Sequence, residues 1–171
     1  MPLWSRAPRV PTELRDALQL ANGERILATA TSADGSAIVA TDRALFVPAR
    51  STHRRIGWEE VDKAGWDRDD GLLWVLETAP LGSRPHRFTV RVDEPGQVVD
   101  AVRERVNATV VISQHVPLVE DRGIRVVGRR APGQDSLSWT VAVDQGIDVG
   151  DPDVRSAVER AVREVRYSVG E

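Results

Sequence analysis

An α+β fold is predicted from three features of the sequence. Seven short β-type runs lie between Arg25 and Val92, the spacing turns helical after Val92, and a second strand-rich stretch ends in an amphipathic helix. Runs this short leave no room for crossover helices, so their strands pair antiparallel. The expected architecture is a seven-stranded β-sandwich or partly open barrel capped by a helix. An N-terminal helix precedes it, and a C-terminal β-hairpin plus helix extends it.

Residues 1–10 carry two prolines and no period, and read as a flexible lead-in. Pro11 and Thr12 open a helix in which Leu14, Ala17, Leu18 and Ala21 share one face, and Asn22-Gly23 is expected to stop it. Strands are predicted near 25–31, 36–41, 43–48, 54–59, 61–67, 72–77 and 86–92, with Asp34-Gly35 and Asp70-Gly71 as hairpin turns. Asp93 or Glu94 can cap the next helix, with Pro95 in its first turn and Val98, Val99, Val102 and Val106 along one stripe. That helix should run from 95 to at least 107, and residues 108–112 suit either a last helical turn or a strand.

Pro117 to Gly123 reads as a loop leading into a hairpin. Its arms are Ile124 to Arg130 and a segment in which Leu137, Trp139, Val141 and Val143 alternate with Ser138, Thr140 and Ala142. Such a two-stranded ribbon has an apolar face that needs cover. The final helix offers it: Asp151 caps, Pro152 takes the first position, and Val154, Val158, Ala161, Val162 and Val165 form a stripe. The chain therefore divides into residues 1–112, the helix and sandwich, and residues 113–171, the extension packed on it.

Composition narrows the chemistry. With 41% hydrophobic and 29% charged residues, the 171-residue chain should fold around a real core. It contains no cysteine, which rules out disulfides, thiolate metal sites and cysteine nucleophiles. A net charge of −3 argues against nucleic acid as a partner. No stretch approaches the roughly 20 apolar residues of a membrane span, and a cytoplasmic location is expected. Lys63 is the sole lysine among many arginines, the coding bias of a GC-rich genome such as an actinobacterium's.

Three phrases carry a family likeness. Gly23-Glu24-Arg25-Ile26-Leu27 resembles the opening strand of bacterial pleckstrin-homology-like domains. Ala40-Thr41-Asp42-Arg43-Ala44-Leu45-Phe46 looks like their second hairpin, and Arg55-Ile56-Gly57-Trp58-Glu59-Glu60-Val61 is similar to their fourth strand. The resemblance spans about residues 23–107. It implies a scaffold that binds proteins, peptides or, in some relatives, lipid head groups, and that is not an enzyme.

The residues support the same expectation. His53, His86 and His115 have no metal-ligand spacing, no serine stands in a nucleophile motif, and the glycines form no phosphate loop. No catalytic residue, metal or cofactor is expected. Trp58, Trp66 and Trp74, eight apart, are read chiefly as packing residues. Arg50, Arg54 and Arg55 lie in one predicted connection and Arg84 and Arg87 in another. If the two meet at one end of the sandwich, their guanidinium forks would suit phosphate or carboxylate. Two functions follow: a binding or scaffold module for a protein or peptide held at a sheet edge or sandwich end, and, as the alternative, a peripheral binder of anionic lipid or another phosphorylated ligand.

Overall fold

The computed structural model describes residues 10–170, so most of the expected lead-in lies outside the described residues. Helix α1 (Thr12–Leu18) is followed by β1 (Ile26–Thr31), β2 (Ala37–Thr41), β3 (Ala44–Ala49) and β4 (Thr52–Gly57). One 3-10 turn, Trp58–Glu60, leads into β5 (Val61–Asp67), β6 (Leu72–Glu77) and β7 (Arg87–Arg91). Then come α2 (Val98–Thr109), β8 (Val110–Val119), β9 (Arg122–Arg130), β10 (Leu137–Val143) and α3 (Pro152–Ser168).

The seven predicted strands are present, but the architecture departs from a single seven-stranded sandwich. Among the described residues, ten strands form three antiparallel sheets, ordered β1-β2-β3-β4, β5-β6-β7 and β10-β9-β8. The first two sheets share one core with α2: Ile38, Leu45, Ile56, Leu73, Val75 and Val102 are among its buried residues. Trp58 is wholly buried there and its indole N–H donates to the Thr41 carbonyl at 3.0 Å. Trp66 is half-buried and donates to the Val92 carbonyl. The outer face of the first sheet is covered by α1, through Leu18 against Ile26, Val39 and Phe46.

Several boundaries differ from the sequence-based expectation. The first helix stops at Leu18 because Gln19 turns left-handed, before Asn22-Gly23 is reached. The fourth strand ends at Gly57, whose N–H donates to the Glu60 carboxylate and turns the chain into the 3-10 segment. Helix α2 begins at Val98, not 95, because Gly96 has φ +52 and keeps Pro95 outside the helix.

The largest correction concerns the extension. The expected loop at Pro117–Gly123 is mostly strand: β8 runs to Val119, and Glu120 and Asp121 alone turn the chain into β9. The predicted hairpin is therefore the outer part of a three-stranded sheet. Proline is tolerated in β8 for a geometric reason. The Gly123 carbonyl accepts from Asp144 N, and its N–H donates to the Asp144 carboxylate, so both Gly123 groups point toward β10. Pro117, opposite Gly123, thus turns its nitrogen to the sheet's outer edge, where no ladder bond is lost.

Helix α3 covers one face of this sheet. Asp151 accepts from the N–H groups of Asp153 and Val154, and Val158, Ala161 and Val165 are buried against Ile124 and Val126. Trp139 lies over Gly128, where a Cβ would come within 3.0 Å of the ring. The other face, carrying Arg125, Val127 and Arg129, looks toward β5 and the β6–β7 connection. Among the described residues no helix is long and apolar enough to cross a membrane.

Candidate functional site

The five arginines singled out from the sequence have separate surroundings. Alternation along β4 puts Arg54 on the same face as buried Ile56, so its charge needs a partner near the core. Glu77 on β6 supplies it through an ion pair with Arg54, and Glu77 also accepts from His86 Nδ1 at 2.7 Å. An Arg54 guanidinium nitrogen lies 3.4 Å from that His86 nitrogen. Arg54 lies on β4 and Glu77 on β6, and with His86 of the β6–β7 connection they form one cluster with the carboxylate in the middle; Arg54 and Arg55 on β4 and Arg87 on β7 are thus strand residues and not connection residues as expected.

Arg55 points to the opposite face of β4 and is exposed. Arg87 lies over the Trp74 ring at 4.8 Å. Arg50 occupies the β3–β4 turn with φ +34 and lines a separate cleft of about 570 Å³ with Asp34, Ser36 and Thr52. Arg84 lines a different cavity altogether.

His53, in the same cluster, has a structural task. Pro48 on β3 has no N–H to offer β2, and the β2–β3 register is recorded only at Val39–Phe46 and Ala40–Leu45. The His53 ring reaches the Ala37 carbonyl at 3.0 Å, so its Nε2 carries the proton.

That different cavity is a groove of about 740 Å³ between the third sheet and the β6–β7 connection. Its floor includes Arg125 and Val127 of β9 with Thr140 and Ala142 of β10. One wall is Asp62 and Lys63 of β5 with residues 77–80 and 82–85, and the other is the loop after β10. The size falls within the range of ligand sites. The lining takes four consecutive residues, Thr140 to Val143, whose side chains alternate between the two faces. Only a groove that reaches the strand's backbone edge is lined in that way.

Among the described residues the edge is open at Val141 and Val143. Because the Asp144 N–H points to β9, the backbone groups of Ala142 and Thr140 do so too, and those of Val143, Val141 and Leu137 point outward. Among the described residues neither Val141 nor Val143 has a backbone partner on that side, and β10 contains no proline, glycine, charge or bulge. The sheet's other edge differs: β8 is irregular at both ends and Pro117 interrupts its outward N–H groups.

Three carboxylates line the groove and each is already engaged. Asp62 is 3.6 Å from buried Arg129, Glu77 is held by Arg54 and His86, and Asp144 accepts from His115 Nε2 at 2.8 Å and from Gly123 N at 2.7 Å. Burial raises the Glu77 pKa, but the hydrogen bonds and charges of Arg54 and His86 outweigh it and leave a net lowering. The His115 hydrogen bond, followed by that of Gly123, lowers Asp144. Among the described residues exposed Lys63, Arg84 and Arg125 make no ion pair, and Arg125 is only a minor electrostatic neighbour of Asp144. The groove therefore offers unspent positive charge. None of these residues except Arg84 was marked by the sequence; the isolated Lys63 and the uncharged, proline-free run Leu137–Val143 were the available signals.

Lowered carboxylate pKa values fix the direction of a pH effect. Glu77 and Asp144 stabilise the folded state fully above their ordinary values of 4.5 and 3.8, and that contribution is lost as pH falls through the lower folded values. Glu77→Gln should therefore unfold at a lower temperature than wild type near neutrality, and the gap should close in acid below 4.5. Thermal melts across pH check this; a gap that is independent of pH would mean the Glu77 charge contributes nothing. Comparison of the chain with protein-family models, with curated proteins and with solved structures finds no match, so the groove is read from its own chemistry.

Proposed function

We propose that the protein is a non-catalytic binding module that holds an extended segment of a partner protein in the groove along β10. The observation carrying this reading is the regular edge of β10, without backbone partners at Val141 and Val143 among the described residues, opening into a groove of ligand size. An added strand completes such an edge with main-chain hydrogen bonds, and the flanking side chains give selectivity. A pleckstrin-homology-like scaffold for residues 23–107 belongs to the same reading. What supports it is the four-plus-three order of the antiparallel strands and α2 packed against both β1 and β5. In this role the scaffold is the rigid wall, and the third sheet supplies the binding edge.

Val141→Pro tests the reading. It removes one outward N–H and leaves the β9 ladder intact, since the bonds to β9 come from Thr140 and Ala142. Proteins captured from the native host by wild type and variant should differ, with specific partners lost from the variant in quantitative mass spectrometry. Identical captures by two equally folded proteins would refute the edge as the binding element. Vesicles containing anionic lipid give the competing result: binding that ignores Val141→Pro but is lost on joint substitution of Arg54 and Arg84 would assign function to those two arginines.

A further inference from the structure

We infer that the segment bound along β10 is acidic, with carboxylate and apolar side chains alternating. The inference rests on the reading of the groove as a peptide site, and deepens it by naming the chemistry of the occupant. A strand added to β10 continues the pleat, so its side chains fall alternately on the two faces of the sheet. On the groove face they meet Arg125 of β9 and, from the opposite wall, Lys63 and Arg84. On the α3 face they meet half-buried Val141 and Val143, which already pack with Val154 in the helix-covered cluster.

The charge a ligand meets is set by which groups are already paired. The lining holds three acids and three bases, which would suit a neutral ligand if all were equally free. They are not: Asp62 is paired with Arg129 and Glu77 with Arg54, neither of which lines the groove, and Asp144 accepts from His115, also outside it, with Arg125 a lesser charge on the same carboxylate. A carboxylate entering the groove meets Lys63 and Arg84, which make no ion pair among the described residues, and Arg125, which gives Asp144 only a lesser charge interaction. A basic segment meets acids that already face Arg129, Arg54 or His115. Electrostatic complementarity of this kind selects the partner and speeds encounter more than it adds affinity.

Three capped peptides test it on the full chain: Glu-Val-Glu-Val-Glu-Val-Glu, the same peptide with Gln for Glu, and the same with Lys for Glu. Calorimetry and amide hydrogen exchange are the readouts. The Glu peptide should bind about tenfold or more tightly than the Gln peptide at low salt, the preference shrinking as salt rises. It should also protect the amides of Val141 and Val143, which have no backbone partner among the described residues. Lys63→Glu and Arg84→Glu, both at exposed positions, should each reduce the preference without loss of fold, and together should turn it toward the Lys peptide.

Equal binding of all three peptides, with Val141 and Val143 protected, overturns the acidic preference and leaves the groove as a peptide site. Failure of all three to bind overturns both. If Val141 and Val143 are protected in the protein alone, more so at higher concentration, the edge belongs to a second copy of the chain and the acidic segment is excluded.

Discussion

Trp58→Ala is expected to lower the free energy of unfolding by about 4 kcal/mol, the middle of the range for removing a large buried ring. The ring lies between the first two sheets with no exposed surface, in the cluster that holds Ile38, Ile56, Val61 and Val75. Its truncation leaves a cavity that rigid strands on either side cannot close. It also leaves the Thr41 carbonyl without the indole donor at 3.0 Å. Thr41 matters in its own right, because its hydroxyl accepts from the N–H groups of Arg43 and Ala44 and donates to Glu24 at 2.5 Å, which shapes the β2–β3 turn. Trp58→Phe separates the two losses. It retains much of the volume but not the donor, and should cost about 2 kcal/mol, close to the cost of one stranded buried acceptor. Urea unfolding measures both; a Trp58→Ala loss below about 1 kcal/mol is incompatible with this ring being a core element.

The first seven strands were legible because turn residues punctuate them. Asp34-Gly35 and Asp70-Gly71 sit where the chain reverses, and both glycines have positive φ. The final helix was equally plain, from its Asp151 cap to its valine stripe. Strand β8 was not, because Ser113, Gln114 and His115 interrupt its apolar pattern and Pro117 looks like a breaker. Whether that proline is tolerated depends on which way its nitrogen points, and this is decided by Gly123 and Asp144 across the sheet. The groove was hidden for a related reason. Its charge depends on pairs distant in sequence, with Arg129 reaching across 67 residues to Asp62, Asp144 across 29 to His115 and Glu77 across 23 to Arg54. Sequence alone marked arginines by their clustering, whereas the groove is governed by which charges remain unspent after folding.

Asp62→Ala should destabilise the protein by about 3 kcal/mol, while Arg129→Met should leave it within about 1 kcal/mol of wild type. The asymmetry follows from where each charge resides. Arg129 is 4% exposed, and burial pushes its pKa down while the Asp62 carboxylate works the other way. Its guanidinium donates to Thr109 Oγ1 and to the Asp62 carbonyl, each at 3.2 Å, and its Nε has no hydrogen-bond partner among the described residues. Removing the Asp62 carboxylate leaves a buried cation with only neutral acceptors. Removing the cation leaves a partly exposed carboxylate that water can solvate, and methionine fills the vacated space without the desolvation cost or the orphaned Nε. Denaturant unfolding of both variants checks the sign as well as the size. Equal losses would mean that the bridge is a net stabiliser rather than a compensated charge. The same bridge ties the floor of the groove on β9 to its wall on β5, so Arg129→Met has a second expected effect. The third sheet should exchange its amides faster relative to the first two sheets, and the peptide affinity of the groove should fall even though global stability is kept, because a loosened wall must be reordered on binding.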